Sequence, residues 1–146
     1  MNSTIVSSWQ FWAVLSAIFA ALTAIFAKVG VADINSDLAT FIRTVVILLL
    51  LTAILAASGE WRAPGQISGK TYLFLLLSGL ATGASWLCYF RALKIGEASK
   101  VAPIDKLSVV LVAIFGALVL GEKLSALAWL GVALIGSGAV LLAFAG

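Results

Sequence analysis

Apolar residues fill this chain in five blocks, each close to the roughly 20 residues that cross a bilayer as a helix. Residues 9–27 carry no charge, 38–57 carry only Arg43, and 72–90 carry none. Residues 102–121 contain Asp105 and Lys106, and 124–144 are again free of charge. The blocks predict helices over about 9–28, 38–57, 71–93, 102–121 and 124–145. Between them the chain is short and punctuated: "VGVADINSD", "SGEWRAPGQISGK" with Pro64 and three glycines, "KIGEASK", and "GEKLS". The tightest of these, "GEKLS", predicts an antiparallel hairpin of the last two helices. The expected fold is an all-α integral membrane protein of five transmembrane helices, forming one domain over 1–146.

Composition removes the alternatives to a membrane protein. Of the 146 residues, 63% are hydrophobic and 10% charged, with a mean hydropathy of +1.18. Soluble domains carry about 25% charged residues, so too little polar surface is left here for a globule in water. The start, "MNSTIVSSWQ", lacks a basic stretch, and the apolar run after it is long enough to span, so no secretory signal is expected. Histidine is absent and Cys88 is the one cysteine. An intrachain disulfide is therefore ruled out, and no metal or cofactor site is expected. No nucleophile–base spacing points to an enzyme, and a scattered net charge of +3 does not point to nucleic acid.

Charge placement bears on orientation. Five spans put the loops after the first and third helices on one side, and those after the second and fourth on the other. The first side carries Lys28, Arg43, Arg91, Lys94, Lys100 and Lys106; the second carries Arg62, Lys70 and Lys123. Six against three becomes four against three once Arg43 and Lys106, inside helices, are set aside. The positive-inside rule counts such residues, and so slight a bias raises the expectation of insertion in both orientations.

The charges inside helices are the candidate chemistry, since each costs about 2.5–3.5 kcal/mol at a bilayer centre on insertion scales. Pro103 suits a first helical position, so with Ala102 as cap the fourth helix places Asp105 in its first turn. Its charge then meets the positive end of the helix dipole, while Lys106 snorkels to the headgroups. Helical neighbours point about 100° apart, so the two are not expected to neutralise each other. Arg43 enters the second helix about as deeply from the same side, which makes an Asp105–Arg43 pair at a cavity mouth the functional reading. Asp105 is the one acid deep enough to couple transport to protons. Lys28 in "KVG" and Lys94 in "KIG" read as helix-ending lysines followed by glycine, and Glu122 in "GEK" as a residue of the turn.

Two stripes are mildly polar: Trp12, Ser16, Phe19, Thr23 and Phe26 on the first helix, and Ser78, Thr82, Ser85 and Tyr89 on the third, beside Trp86. Such stripes either pack helices together through hydrogen bonds of about 0.6–2 kcal/mol or line a cavity for a small-molecule substrate. Gly79 and Gly83 form a GxxxG, and Gly131, Gly136 and Gly138 thin the last helix, so both helices are candidate dimer seams.

The stretches "RALKIGEASKVAP" (91–103), "LVLGEKLS" (118–125) and "WLGVALIGSGAVLL" (129–142) resemble the C-terminal part of an EamA domain, the five-helix unit of the drug/metabolite transporter superfamily. More loosely, "AIFAALTAIFAKVGV" (17–31) and "LATFIRTVVILLLL" (38–51) are similar to the family's first two helices, with Arg43 at the usual arginine position. The resemblance implies an EamA-like half-transporter unit in the inner (plasma) membrane, in contact with membrane lipid. Most members carry two inverted units in tandem, so one unit implies a homodimer, parallel or antiparallel, or a related second chain. The function it implies is movement of small organic solutes by alternating access. The other use it allows is a flippase-like or accessory subunit that needs a second chain.

Overall fold

A computed structural model describes residues 8–61, 65 and 67–145. Arg62 and Pro64, which figured in the reading of the second loop, lie outside these residues. The described chain is helical, without strands: α1 (Trp9–Gly30), α2 (Ser36–Ser58), α3 (Gly69–Ile95), α4 (Ala98–Asp105), α5 (Ser108–Val119) and α6 (Ala126–Phe144). With α4 and α5 taken together as Ala98–Val119, five helices are long and apolar enough to cross a membrane. Only 6–11% of each apolar window is buried within the chain. Leucines such as Leu48, Leu49 and Leu76 therefore stand outward, where water would be costly and lipid is not.

Side chains in the loops and at helix ends set the boundaries. The Asn35 side chain accepts from the backbone N–H groups of Asp37 at 2.8 Å and Leu38 at 3.3 Å, so α2 starts two residues before the apolar run does. Ser68 accepts from the Thr71 N–H at 3.1 Å ahead of α3, and Ser125 from the Ala128 N–H at 3.2 Å at the start of α6. Within the spans, hydroxyls turn back onto their own helices. Thr40 donates to the Ser36 carbonyl, Thr44 to that of Thr40, and Ser137 to that of Ala133, so these groups are satisfied without water.

The chain falls into two compact units, Phe26–Lys94, and Met1–Ile25 with Ile95–Gly146. The first holds the end of α1 with α2 and α3, and its buried side chains gather near one end: Ala27, Val31, Ala39, Phe90 and Leu93. In the second, α6 packs against both α4 and α5. A close approach falls at Gly136, where a Cβ would lie 3.1 Å from Val110 Cγ2.

Between α5 and α6 the chain reverses at Gly121, whose φ of 71° lies in the left-handed region. The reversal lets the Glu122 N–H reach the Gly116 carbonyl at 3.0 Å, which also accepts from Leu120 at 3.1 Å. The Glu122 carboxylate then folds over buried Gly116, where an added Cβ would meet Oε2 at 2.7 Å. Gly121→Ala must hold an L side chain at that φ, which costs about 1–2 kcal/mol. Gly116→Ala needs only the flexible end of Glu122 to move. Thermal unfolding in detergent is expected to show the larger loss for the Gly121 variant.

Candidate functional site

At one end of the Phe26–Lys94 unit, basic side chains cross between elements. Arg91, in the last turns of α3, grips Asp37, in the first turn of α2, with two parallel bonds: Nε to Oδ1 at 3.1 Å and Nη2 to Oδ2 at 2.8 Å. Planar guanidinium and planar carboxylate match in this arrangement. Lys28 donates to the Leu93 carbonyl at 2.6 Å, and Lys94 donates to the carbonyl of Ile34. Both lysines do lie in the last turn of a helix, as their sequence context indicates. Each reaches across to another element, however, rather than back to its own helix end. Gly30 is still part of α1 and does not adopt a left-handed conformation.

Deeper along the same helices lies Arg43. Its guanidinium carbon sits 4.1 Å from the centre of the Trp86 ring and 5.5 Å from that of Phe90. Two of the candidates, Arg43 and Trp86, are thus brought together, with Phe90 as a partner the sequence did not single out. Arg43 is six residues beyond Asp37, about 9 Å along a helix. The sequence expectation for Arg43 was a carboxylate; what it has within its own unit is a pair of aromatic faces. Tyr89 is half-buried, its ring 6.5 Å from that of Phe90 and edge-on to it.

The fourth span corrects the reading of Asp105. Its helix begins at Ala98, after Glu97, and not at Ala102, so Pro103 is interior and the first turn carries no acid. Pro103 has no N–H to give the preceding turn, and its ring crowds the carbonyl four residues back. Past Pro103 the helix tightens. Lys106 N–H bonds to the Pro103 carbonyl, Leu107 to Ile104, Val109 to Lys106 and Val110 to Leu107, each at 3.0 Å. These are the i→i+3 bonds of a 3₁₀ turn, here interrupting a span between α4 and α5. Asp105 closes α4 instead of opening a helix, about 10 Å along the axis from Ala98.

Lys106 does meet its neighbour, Nζ lying 3.1 Å from Asp105 Oδ2. The 100° rule assumes a regular helix, whereas the backbone here changes pitch and the lysine stem is long enough to fold back. The charges that looked unable to pair form an ion pair at the interruption.

The stripes are only partly covered by the chain itself. Trp12, Ser16, Ser78, Thr82 and Ser85 are exposed, and Thr23 is half-buried. Trp12 meets Phe11 edge-on at 5.4 Å. Of the glycines singled out for close packing, Gly136 has a neighbouring helix against it. Gly79, Gly83, Gly131 and Gly138 have open space where a Cβ would stand. Glu122 lies in the turn, exposed, as expected.

Hydropathy does not point to the Asp37–Arg91 clasp, although the spacing carries a signal. Asp37 and Arg91 lie equally far along the chain from Pro64, and Arg43 and Trp86 almost so, as partners on the two arms of a hairpin must.

Five apolar helices with charges held inside or at the ends of the spans define a multi-pass membrane protein. The family model described as the EamA-like transporter family matches residues 7–144, and the chain belongs to that family. A Sinorhizobium protein named an uncharacterized transporter in the cobO 3'region is 71% identical over 136 residues, which are 93% of this chain and 96% of that relative. The relative is therefore of nearly the same length as this chain. No solved structure matches. The chain is a membrane transporter, and its family and relative point to transport rather than catalysis.

Proposed function

We propose that the protein moves small organic solutes across the inner membrane by alternating access, as a homodimer of oppositely inserted copies. The observation that carries this reading is the interrupted fourth span, with Asp105 and Lys106 paired at a 3₁₀ turn. Secondary carriers commonly build their sites where a helix is broken inside the membrane, between two repeats of inverted orientation. One five-helix unit supplies half of such an arrangement, and a second copy inserted the other way supplies the rest. The near-even division of Lys and Arg between the two loop sides supports insertion both ways.

Orientation is the test. In protein carrying Cys88→Ala, single cysteines are introduced by Ala32→Cys, between α1 and α2, and by Gly65→Cys, between α2 and α3. Neither substitution alters a charge. Labelling of intact cells by an impermeant maleimide is expected to be partial at both positions, with fractions that sum to about one under the positive-inside logic of mixed insertion. Complete labelling at one position and none at the other would fix a single orientation. The antiparallel homodimer would then be wrong, and a second chain would be the partner to seek.

A further inference from the structure

We propose that the Arg43–Trp86–Phe90 cluster is a binding site for an oxyanion group, a carboxylate or a phosphate, with Arg43 as the residue that holds it. This gives a substrate class to the transport reading above and rests on it.

The guanidinium is a charge without an opposite charge. Among the described residues it makes no ion pair or hydrogen bond; it stands against the two ring faces, with Tyr89 near enough to act on its charge. Contact with ring faces supplies no oxygen acceptor to the five N–H groups of the guanidinium. In a membrane span such donors are costly to leave unmet.

The carboxylate nearest along α2 is not available, because Asp37 is already gripped by both ends of the Arg91 fork. The lysines at this end of the unit are directed to the carbonyls of Leu93 and Ile34. Lys28, Arg43, Arg91 and Lys94 stand against Asp33 and Asp37, so this end of the unit carries a surplus of positive charge. A positive field in a low-dielectric wall draws anions.

Accessibility and shape agree with a ligand. Arg43 and Trp86 are half-buried while Phe90 is buried, so the cluster has a closed back and an open side. Thr82 lies one turn deeper on the Trp86 face of α3, exposed, and adds a hydroxyl at the distance of a small molecule. The planar fork matches a carboxylate or phosphate through two parallel bonds, which a lysine does not reproduce.

The test uses the whole protein, purified in a neutral maltoside detergent, and the part of its tryptophan emission that disappears in Trp86→Phe. Benzoate and inorganic phosphate are titrated as free oxyanions, with benzamide as the uncharged match for benzoate. Lipid nanodiscs of phosphatidylglycerol, against phosphatidylcholine, present the same chemistry as a headgroup. The expected result is a saturable change of Trp86 emission with benzoate or phosphate and none with benzamide. In Arg43→Gln the dissociation constant should rise at least about tenfold, as loss of a charge-assisted bond implies, with Arg43→Lys falling between. A response confined to phosphatidylglycerol places the oxyanion on a lipid. An equal response to benzamide, or no response to any oxyanion, overturns the proposal. Should Arg43→Gln fail to fold, the benzoate–benzamide comparison in the unsubstituted protein still decides. Because this reads binding and not orientation, its failure leaves the transport reading standing, and a fixed orientation leaves the anion site standing.

Discussion

Leu93→Ala is expected to lower the thermal stability of the detergent-solubilised protein by several degrees, while Leu49→Ala leaves it nearly unchanged. The two leucines are the same size and both lie in apolar helices, yet their surroundings are opposite. Leu93 is 0% exposed and Leu49 is 63% exposed. In lipid there is no hydrophobic penalty for a leucine that faces outward, so what holds helices together is packing and hydrogen bonding. Leu49 has solvent tails around it whether the helices are assembled or apart, and trimming it removes little from the balance. Leu93 fills the end of its unit where Val31, also 0% exposed, and Phe90, 3% exposed, are buried. Removing its branched end leaves a void whose lining atoms lose their contacts. Buried Leu→Ala changes cost about 2–5 kcal/mol, and the lower part of that range applies where water exclusion adds little. That is about 5–10 °C for a chain of this length. Circular dichroism melts of the two variants check it, and equal shifts would mean that this end of the unit is not a packed core.

Why the helices were legible and the site only partly so follows from what each depends on. A bilayer demands that every backbone group be satisfied within its own segment, so five long apolar runs had to be five helical spans. The ends were set by polar residues that hydropathy places outside. Asn35 starts α2 before the apolar run, and the polar stretch Ala98–Val101 is helical although it reads as loop. The earlier helix start puts Pro103 in the interior and makes the region a helix interruption. Asp105 and Lys106 stand out in the sequence, but their pairing depends on a local change of pitch that a regular helix does not have. Arg43 and Trp86 were each singled out, for charge and for aromatic character. Their meeting depended on the register between α2 and α3, which no single helix encodes. Lys28 and Lys94 read as ordinary helix-ending lysines and Asp37 as part of a loop, and their crossing contacts appear only when the ends of three helices are brought together.

A cysteine at position 106 is expected to react with an impermeant, water-borne thiol reagent, whereas one at position 112 is not. In Cys88→Ala protein reconstituted into liposomes, Lys106→Cys and Val112→Cys place a thiol at the interruption and, in α5, about 9 Å further along the axis. Thiolates react, thiols do not, and ionisation needs water. The Asp105–Lys106 pair gives the reason to expect water at the first position. An exposed ion pair in hydrocarbon would leave most of its donors and acceptors unmet, and intramembrane charges are accordingly found facing bundle interiors or water-filled cavities. The 3₁₀ turn adds to this, since tightened backbone within a span is tolerated where protein or water meets its freed groups. Val112 has neither a charge nor an irregular backbone beside it, and a fully helical, apolar stretch needs no water. The expected contrast is large, on the order of tenfold or more in rate, given how strongly thiolate formation depends on solvation. Preservation of Asp105 in the cysteine variant keeps one charge at the interruption. If positions 106 and 112 react at the same rate, the interruption is a local packing feature within lipid or protein. The solute path would then have to be sought elsewhere, first along the open Thr82–Trp86 face of α3.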